Sequence, residues 1–374
     1  SVICRENYRE ADLADKIEMQ KIYWYWLCNI PGIGRKKIER LLEEYKTPEE
    51  ICRQKKIEWF TEKEQEAFVE SKKIKWLARY TQAKANGIRI ITCEDREYPK
   101  RLICLHDRPY VLYVKGNLPD EDIPTCGIVG ARNCTRYGAA LAGEIGRVLA
   151  TNGIQVISGL ARGIDGEGQN GAVHASGASF GILGCGVDIC YPEENRKLYE
   201  LIQDKGGLIS EFAPGTQARP THFPMRNRLI SALSDKLIVV EAKKKSGSLI
   251  TVDFALEQGK EVFGVPGRVT DVLSEGVNNL LRLGAGVLTR PEDILEEFDI
   301  SSLGKCTKEE KNNFLLAEKE NMLYSMLDLQ PKNIQYIIEE TGMDVSAVSE
   351  ILLELQMRGL IVEYGKNHYA KIKI

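Results

Sequence analysis

Chemistry that depends on clustered ligands has no foothold in this sequence. Its ten cysteines are scattered, without a C-x-x-C pair and without grouping near any of the four histidines. That pattern argues against zinc sites and against a disulfide scaffold. Unpatterned thiols in a chain of this size fit a reducing compartment, where free cysteine packs as a small apolar residue, so the expected location is the cytoplasm. A Walker loop, a nucleophile triad and a metal-ligand cluster are all missing, so no catalytic residue, metal or cofactor is expected. No segment approaches the roughly 18 consecutive apolar residues of a membrane span. The charged stretch from Ser1 to Gln20 does not resemble a signal peptide. Internal repeats and low-complexity tracts are lacking. Cationic excess is lacking too: 51 Lys and Arg against 54 Asp and Glu leave a net charge of -3. A generic nucleic-acid coat would be basic throughout, so any polyanion site here must be local.

What is present is a globular composition, 43% hydrophobic and 28% charged over 374 residues, long enough for two or three domains. Residues 1–87 are charged, nearly glycine-free outside one motif, and helical in period, with Ile38, Leu41, Leu42 and Tyr45 one turn apart. Residues 88–298 begin with strand-like runs at Ile88–Ile91 and Tyr110–Val114. Buried runs then alternate with helical stretches: Cys126–Val129, Gln155–Ser158, Phe180–Leu183, Leu208–Ser210, Leu237–Glu241, Glu261–Val265 and Gly286–Leu288. This alternation predicts an α/β fold, a parallel sheet with helices on both faces. Flexible turns then fall at its carboxyl edge, where open sheets bind ligands. Residues 299–316 are polar and read as a linker. In residues 317–374, helices at Asn321–Leu329, Asn333–Thr341 and Val345–Arg358 precede a hairpin of Leu360–Val362 and His368–Ile372, the pattern of a winged helix.

Four turns at the predicted sheet edge carry cations. Gly130-Ala131-Arg132 follows the first core strand, and its guanidinium could grip a phosphate, although a glycine turn there is equally a structural device. Ser158-Gly159-Leu160-Ala161-Arg162-Gly163 repeats that geometry, and a structural turn needs the glycine but not the arginine. Asp165, just beyond, reads as a helix cap rather than a catalyst. Phe223-Pro224-Met225-Arg226-Asn227-Arg228 sets two arginines and an amide beside an aromatic ring. A base stacked on such a ring gains roughly 1–3 kcal/mol without regard to sequence, which suits single-stranded nucleic acid; the alternative is a core phenylalanine beside solvated arginines. Lys243-Lys244-Lys245-Ser246-Gly247-Ser248 could complete an anion pocket or be a solvated surface run. His222 has no partner acid or nucleophile and reads as structural.

Taken in order and spacing, these motifs together with Gly184-Cys185-Gly186-Val187-Asp188, Tyr191-Pro192, Ser246-Gly247-Ser248-Leu249-Ile250-Thr251 and Val265-Pro266-Gly267 resemble the DprA/Smf family across the whole core. Ala131 departs from it, standing where serine is frequent. The resemblance implies an extended Rossmann-like core between an N-terminal helical, SAM-like domain and a C-terminal winged helix. It further implies a homodimer without enzymatic activity that protects incoming single-stranded DNA and helps load a RecA-type recombinase in natural transformation. Single-strand-binding protein is a possible further partner. Carried onto this chain, the site comprises Gly130, Arg132, Ser158, Gly159, Arg162, Gly163, Phe223, Arg226, Asn227, Arg228, Lys245, Ser246 and Gly247. Arg132 and Arg226 are expected to be needed for binding and dispensable for folding.

The leading rival comes from the wider SLOG group of nucleotide-handling domains, either a nucleotide sensor or a phosphoribohydrolase. The hydrolases require a glutamate three residues after a Gly-Thr threonine; Phe254 occupies that place after Thr251, and the adjacent Asp253 is one position off. In the flanking domains, Leu27 to Lys37 reads as a helix-hairpin-helix in which Gly32, Gly34 and Lys36 could hold one backbone phosphate; such a hairpin is equally a packing device. The aromatic run Tyr23-Trp24-Tyr25-Trp26 is assigned to the local core. The third helix of the winged helix holds Glu350 and Glu354, with Arg358 the only cation between Asp344 and Gly359, which disfavours phosphate and favours an interaction role.

Overall fold

The computed structural model describes residues 13–298, 318–328, 331–358, 360–364 and 366–371. The linker expected over 299–316 lies outside the described residues. The chain opens with five helices: α1 (Leu13–Leu27), α2 (Arg35–Tyr45), α3 (Pro48–Arg53), α4 (Glu62–Ser71) and α5 (Trp76–Ala85). Their starts are written locally. Thr47 caps α3 through the Glu50 amide, and Thr61 with Glu64 forms a reciprocal capping box at α4. Between α1 and α2 the hairpin turns at Gly32, whose φ of +78° is the left-handed conformation that glycine adopts without steric cost. The aromatic run at the end of α1 is buried: Trp26 donates its Nε1–H to Ser71 Oγ at 2.8 Å, and Trp24 stacks on Tyr110 with centroids 5.3 Å apart. Tyr110 belongs to the next segment. The helices therefore share one hydrophobic cluster with Ile90, Val111 and Tyr113 of the sheet instead of closing a separate small core.

Nine strands form one sheet: β1 (Arg89–Thr92), β2 (Val111–Gly116), β3 (Thr125–Val129), β4 (Gln155–Ser158), β5 (Ser179–Ile182), β6 (Gly206–Ser210), β7 (Lys236–Val239), β8 (Glu261–Gly264) and β9 (Gly286–Val287). They lie in the order β1-β2-β6-β5-β4-β3-β7-β8-β9. The seven from β3 to β9 are parallel, and β2 joins β6 antiparallel, with β1 antiparallel outside it. Each predicted core strand is present, displaced by no more than two residues at either end. β3 to β6 are buried along their whole length, which is why their sequences read as apolar runs without alternation.

Eight helices cover the sheet: α6 (Lys100–Ile103), α7 (Arg136–Thr151), α8 (Ile164–His174), α9 (Arg196–Lys205), α10 (His222–Leu233), α11 (Gly247–Glu257), α12 (Glu275–Arg282) and α13 (Asp293–Glu296). α7 and α8 press backbone to backbone, since a Cβ on Gly146 would stand 1.9 Å from the Gly168 carbonyl oxygen and one on Gly171 equally close to that of Gly143. Strand order reverses beside β3: the chain builds outward to β6 and then returns to lay β7 on the other side. In open α/β sheets that reversal opens a crevice at the carboxyl ends of the strands.

The last unit holds α14 (Glu318–Met326), β10 (Lys332–Asn333), α15 (Ile334–Thr341), α16 (Val345–Met357), β11 (Ile361–Glu363) and β12 (His368–Lys371) around its own apolar cluster. Its sheet has the order β10-β12-β11, so the predicted hairpin gains a short third strand. This is a winged helix. On α16 the Glu354 carboxyl is raised above the usual range by its hydrogen bond with Glu320, and Arg358 also turns to Glu320, at 3.3 Å. Among the described residues no helix is long and apolar enough to cross a membrane.

Candidate nucleic-acid interface

Three loops meet above the carboxyl ends of β3, β4 and β5. The first, from β3 to α7, is pinned from below by Glu241 at the end of β7. The Glu241 carboxylate accepts from the Thr135 amide at 2.8 Å and its hydroxyl at 2.5 Å, and the Glu241 carbonyl accepts from the Ala131 amide at 2.7 Å. Gly130 permits this closeness, because a Cβ there would meet the Ile164 side chain at 2.7 Å. Thr135 also caps α7 by accepting from the Gly138 amide. With both ends of the loop fixed, Arg132 stands exposed at its crest.

The second loop, from β4 to α8, turns on Gly163 at φ +72°, where a Cβ would strike the carbonyl oxygens of Ala131 and Arg132 at 2.4 and 2.5 Å. The first two loops therefore touch. Arg162 is exposed and forms an ion pair with Glu194. The third loop, from β5 to α9, is tied to the second by Asn195, whose Nδ2 donates to the carbonyls of Leu160 and Ala161 at 3.0 Å each. It carries Tyr191, joined to Pro192 by a cis peptide bond.

Helix α10 closes the floor. Phe223 stacks against Tyr191 with centroids 5.5 Å apart, and the guanidinium of Arg132 lies 5.0 Å from the Phe223 ring centre. Arg226, only 3% exposed, donates to the carbonyl of Gly159 at 2.7 Å and to that of Ile182, so it bridges the ends of β4 and β5. Asp165 faces Arg226 across the Cβ position of Gly159: a Cβ at that glycine would meet the Arg226 guanidinium at 2.6 Å and Asp165 Oδ2 at 2.7 Å. Burial raises the Asp165 carboxyl, opposed by the charge of Arg226 and the Gly159 amide. Burial likewise pushes Arg226 down to about 10, which leaves it charged at neutral pH. Its Nε–H has no hydrogen-bond partner among the described residues. The resulting cleft has a volume of about 250 Å³ and is lined by Arg132, Asn133, Gly159, Ala161, Arg162, Tyr191, Pro192, Phe223 and Arg226.

A family model described as "DNA recombination-mediator protein A" matches residues 89–299, and one described as "DprA winged helix domain" matches residues 308–365. The chain belongs to the DprA/Smf family. It is 40% identical to "DNA processing protein DprA" of Bacillus subtilis over 222 residues, covering 59% of this chain and 74% of that protein. It is 34% identical to "Protein Smf" of Escherichia coli over 279 residues, covering 73% and 74%. The solved structure of DprA from Streptococcus pneumoniae superposes with a TM-score of 0.61 at 29% identity, covering 74% of this chain and 98% of that one. A structure of DNA processing protein A from Helicobacter pylori, described for its single-stranded DNA binding mode, gives 0.51 at 30% identity and covers 56% and 95%.

Against this DprA fold the sequence-derived site divides into groups. Arg132, Gly159, Arg162, Phe223 and Arg226 converge on the cleft. Gly130 and Gly163 lie beneath it and let the loops close. Ser158 is fully buried, its hydroxyl given to the Ile128 carbonyl at 2.5 Å, so it is a strand-to-strand tie and not a ligand group. Arg228 is outside the cleft lining: it is held by Asp107 and Glu211, at 2.7 Å each. Asn227 donates to the Gly247 carbonyl at 3.2 Å, joining α10 to the start of α11. Lys245, Ser246 and Gly247 stand at that start, outside the cleft lining, with Lys245 exposed and Ser246 capping the helix. Asp165 is not a helix cap, because Gly163 holds that position. His222 is structural, stacked on Phe212 at 4.2 Å with Nδ1 at 3.1 Å from the Gly184 carbonyl.

In the helix-hairpin-helix, Gly32, Gly34 and Lys36 are exposed, while both neighbouring cations turn inward: Arg35 to the carbonyls of His106 and Arg108, Lys37 to Glu64. Sequence reasoning missed Asn133, Glu194, Asn195 and Glu241 altogether and used Tyr191 only as a family marker. An aromatic-proline pair in a loop at the binding edge of the sheet was the signal available for Tyr191.

Proposed function

We propose that this chain binds single-stranded DNA in the cleft above β3, β4 and β5, with Arg132 and Arg162 on the phosphates and the Phe223–Tyr191 stack beside the bases. The observation that carries this reading is the convergence of guanidinium groups from three separate segments on two stacked rings, with no carboxylate among the lining residues. Phosphate-gripping cations next to aromatic platforms are the general solution for a strand whose bases are unpaired. Arg226 contributes its field from below, and the buried network around Gly159 keeps the floor rigid. Lys245 with the amides of Ser246 and Gly247 offers a second phosphate position beyond the cleft, and Gly32, Gly34 and Lys36 a distal one.

The description of the Helicobacter pylori relative and the family's description as a recombination mediator support the same reading. On this basis the protein protects single-stranded DNA in the cytoplasm and helps load a RecA-type recombinase during recombination or transformation. It acts as a homodimer that offers two clefts to one strand, alongside single-strand-binding protein. The acidic face of α16 suits a protein partner better than duplex DNA. A nucleotide sensor is the second reading, favoured by a cleft volume of about 250 Å³, enough for one nucleotide. A phosphoribohydrolase is disfavoured because the nearby carboxylates are engaged, Glu194 with Arg162 and Asp165 with the Gly159 amide, and neither is among the lining residues of the cleft.

Fluorescence anisotropy with labelled oligo-dT, its blunt duplex counterpart and free nucleotides as competitors separates these readings. Oligo-dT is expected to bind at least as well as duplex, with a log affinity against log salt slope of about -0.7 per phosphate neutralised. Preference for duplex, or competition by free nucleotide at equal concentration of sites, refutes the single-strand reading.

A further inference from the structure

We propose that the exposed side of α16 in the winged helix is a docking ridge for an amphipathic helix of a partner protein, one with apolar residues on its contact face and lysine or arginine along a border. This rests on the reading of α16 as a protein-facing surface, names the chemistry of that partner, and is independent of the single-strand cleft. Helix α16 has two sides. Val348, Ile351, Leu352 and Leu355 are buried in the apolar cluster of the winged helix, whereas Val345, Leu353 and Met357 are 61, 59 and 81% exposed. Spaced four residues apart, Val345, Ser349, Leu353 and Met357 run along one side over three turns, and Ser349 is exposed with them. A solvent-facing helix side is ordinarily polar, and an unbroken apolar line there is the mark of an interaction surface.

Charge decides the occupant. Glu350 and Glu354 are exposed and precede Leu353 and Met357 by three residues, so their carboxylates border the ridge on one side. Arg358 is the only cation between Asp344 and Gly359, and it turns to Glu320. In a winged helix this is the element that would enter a DNA major groove, but here it would set carboxylates and methyl groups against phosphates. An anionic membrane surface is repelled in the same way. A second copy of α16 packed antiparallel would bring the two acidic borders together. A helix with large apolar side chains and a basic border meets both features of the ridge: burial of Leu353 and Met357 supplies affinity, and the charged border sets orientation.

The test uses the full chain and two synthetic helical peptides with leucine along one face, one bordered by lysine and the other by glutamate, followed by fluorescence anisotropy. The lysine-bordered peptide is expected to bind and the glutamate-bordered peptide to fail. Leu353→Ser combined with Met357→Ser is expected to weaken binding about tenfold or more, with the melting temperature within about 2 °C of wild type and oligo-dT affinity unchanged. Glu350→Lys combined with Glu354→Lys is expected to reverse the preference toward the glutamate-bordered peptide. Failure of the wild-type chain to bind the lysine-bordered peptide overturns the proposal. So does binding that survives the serine pair, or a preference that the lysine pair does not reverse, since the peptide is then held elsewhere. Self-association or duplex binding that the serine pair abolishes makes a second copy or DNA the occupant, and overturns it equally. Oligo-dT binding by the wild-type chain reports on the cleft alone, so the two readings fail separately.

Discussion

Arg226→Ala is the substitution for which sequence and structure give opposite forecasts, and the structure's forecast is a loss of stability. The side chain is 3% exposed, and its removal leaves the carbonyls of Gly159 and Ile182 without their donor. Each buried acceptor so orphaned costs about 1–3 kcal/mol. Asp165, which meets Arg226 at the face of Gly159, loses the cation that opposes its burial, and an uncompensated buried charge adds to the loss. Water entering from the open side of the cleft offsets part of this, so the net destabilisation is about 3–5 kcal/mol. For a cooperative unit of some two hundred residues that is a fall in melting temperature of about 6–20 °C.

The loss carries a pH signature. Burial already holds the Asp165 carboxyl above its usual value, and removing Arg226 raises it further, so the folded variant binds a proton more strongly than the unfolded chain does. Its stability then declines as pH rises through the folded pKa and recovers on acidification, so the deficit against wild type narrows as pH falls from neutral toward the ordinary carboxylate range. Thermal unfolding followed by circular dichroism at neutral and at acid pH reads both effects. A variant that melts within about 2 °C of wild type, the shift expected of a neutral surface change, refutes the reasoning and returns Arg226 to a purely ligand-facing role.

Arg132→Ala is the counterpart: the side chain is exposed at a loop crest, so melting should shift by no more than about 2 °C while oligo-dT affinity falls about tenfold and the salt slope shrinks by about 0.7, measured by anisotropy across a salt series. Glu194→Gln releases Arg162 from its ion pair, and tighter oligo-dT binding by about two- to fivefold at low salt is expected, with the gain vanishing in an Arg162→Ala background. Arg228→Met strands Glu211, whose carboxyl burial already raises against the pull of Arg228; melting should fall at neutral pH and recover toward acid as that carboxyl protonates, with affinity per folded molecule unchanged in a titration.

The order of elements was legible in the sequence because it is local information. Runs such as Cys126–Val129 are apolar without alternation, so they announce strands buried on both faces; the glycines after them announce turns; and Arg132 and Arg162 follow those turns, which places both on the binding edge. The winged helix was legible for the same reason, from helical period and a hairpin. What the sequence left open is which way a guanidinium faces. Arg132, Arg226 and Arg228 are the same residue type near strand or helix ends, yet one is exposed at a loop crest, one is locked under the cleft and one is held outside the cleft lining. The partners that decide this come from distant segments: Gly159 and Ile182 lie 67 and 44 residues before Arg226, and Asp107 lies 121 before Arg228. The same holds for Tyr191, which is stacked in the cleft only because α10 delivers Phe223 against it. Local periodicity fixes where a side chain leaves the backbone, whereas its partner and its exposure are set by segments brought together only when the sheet assembles.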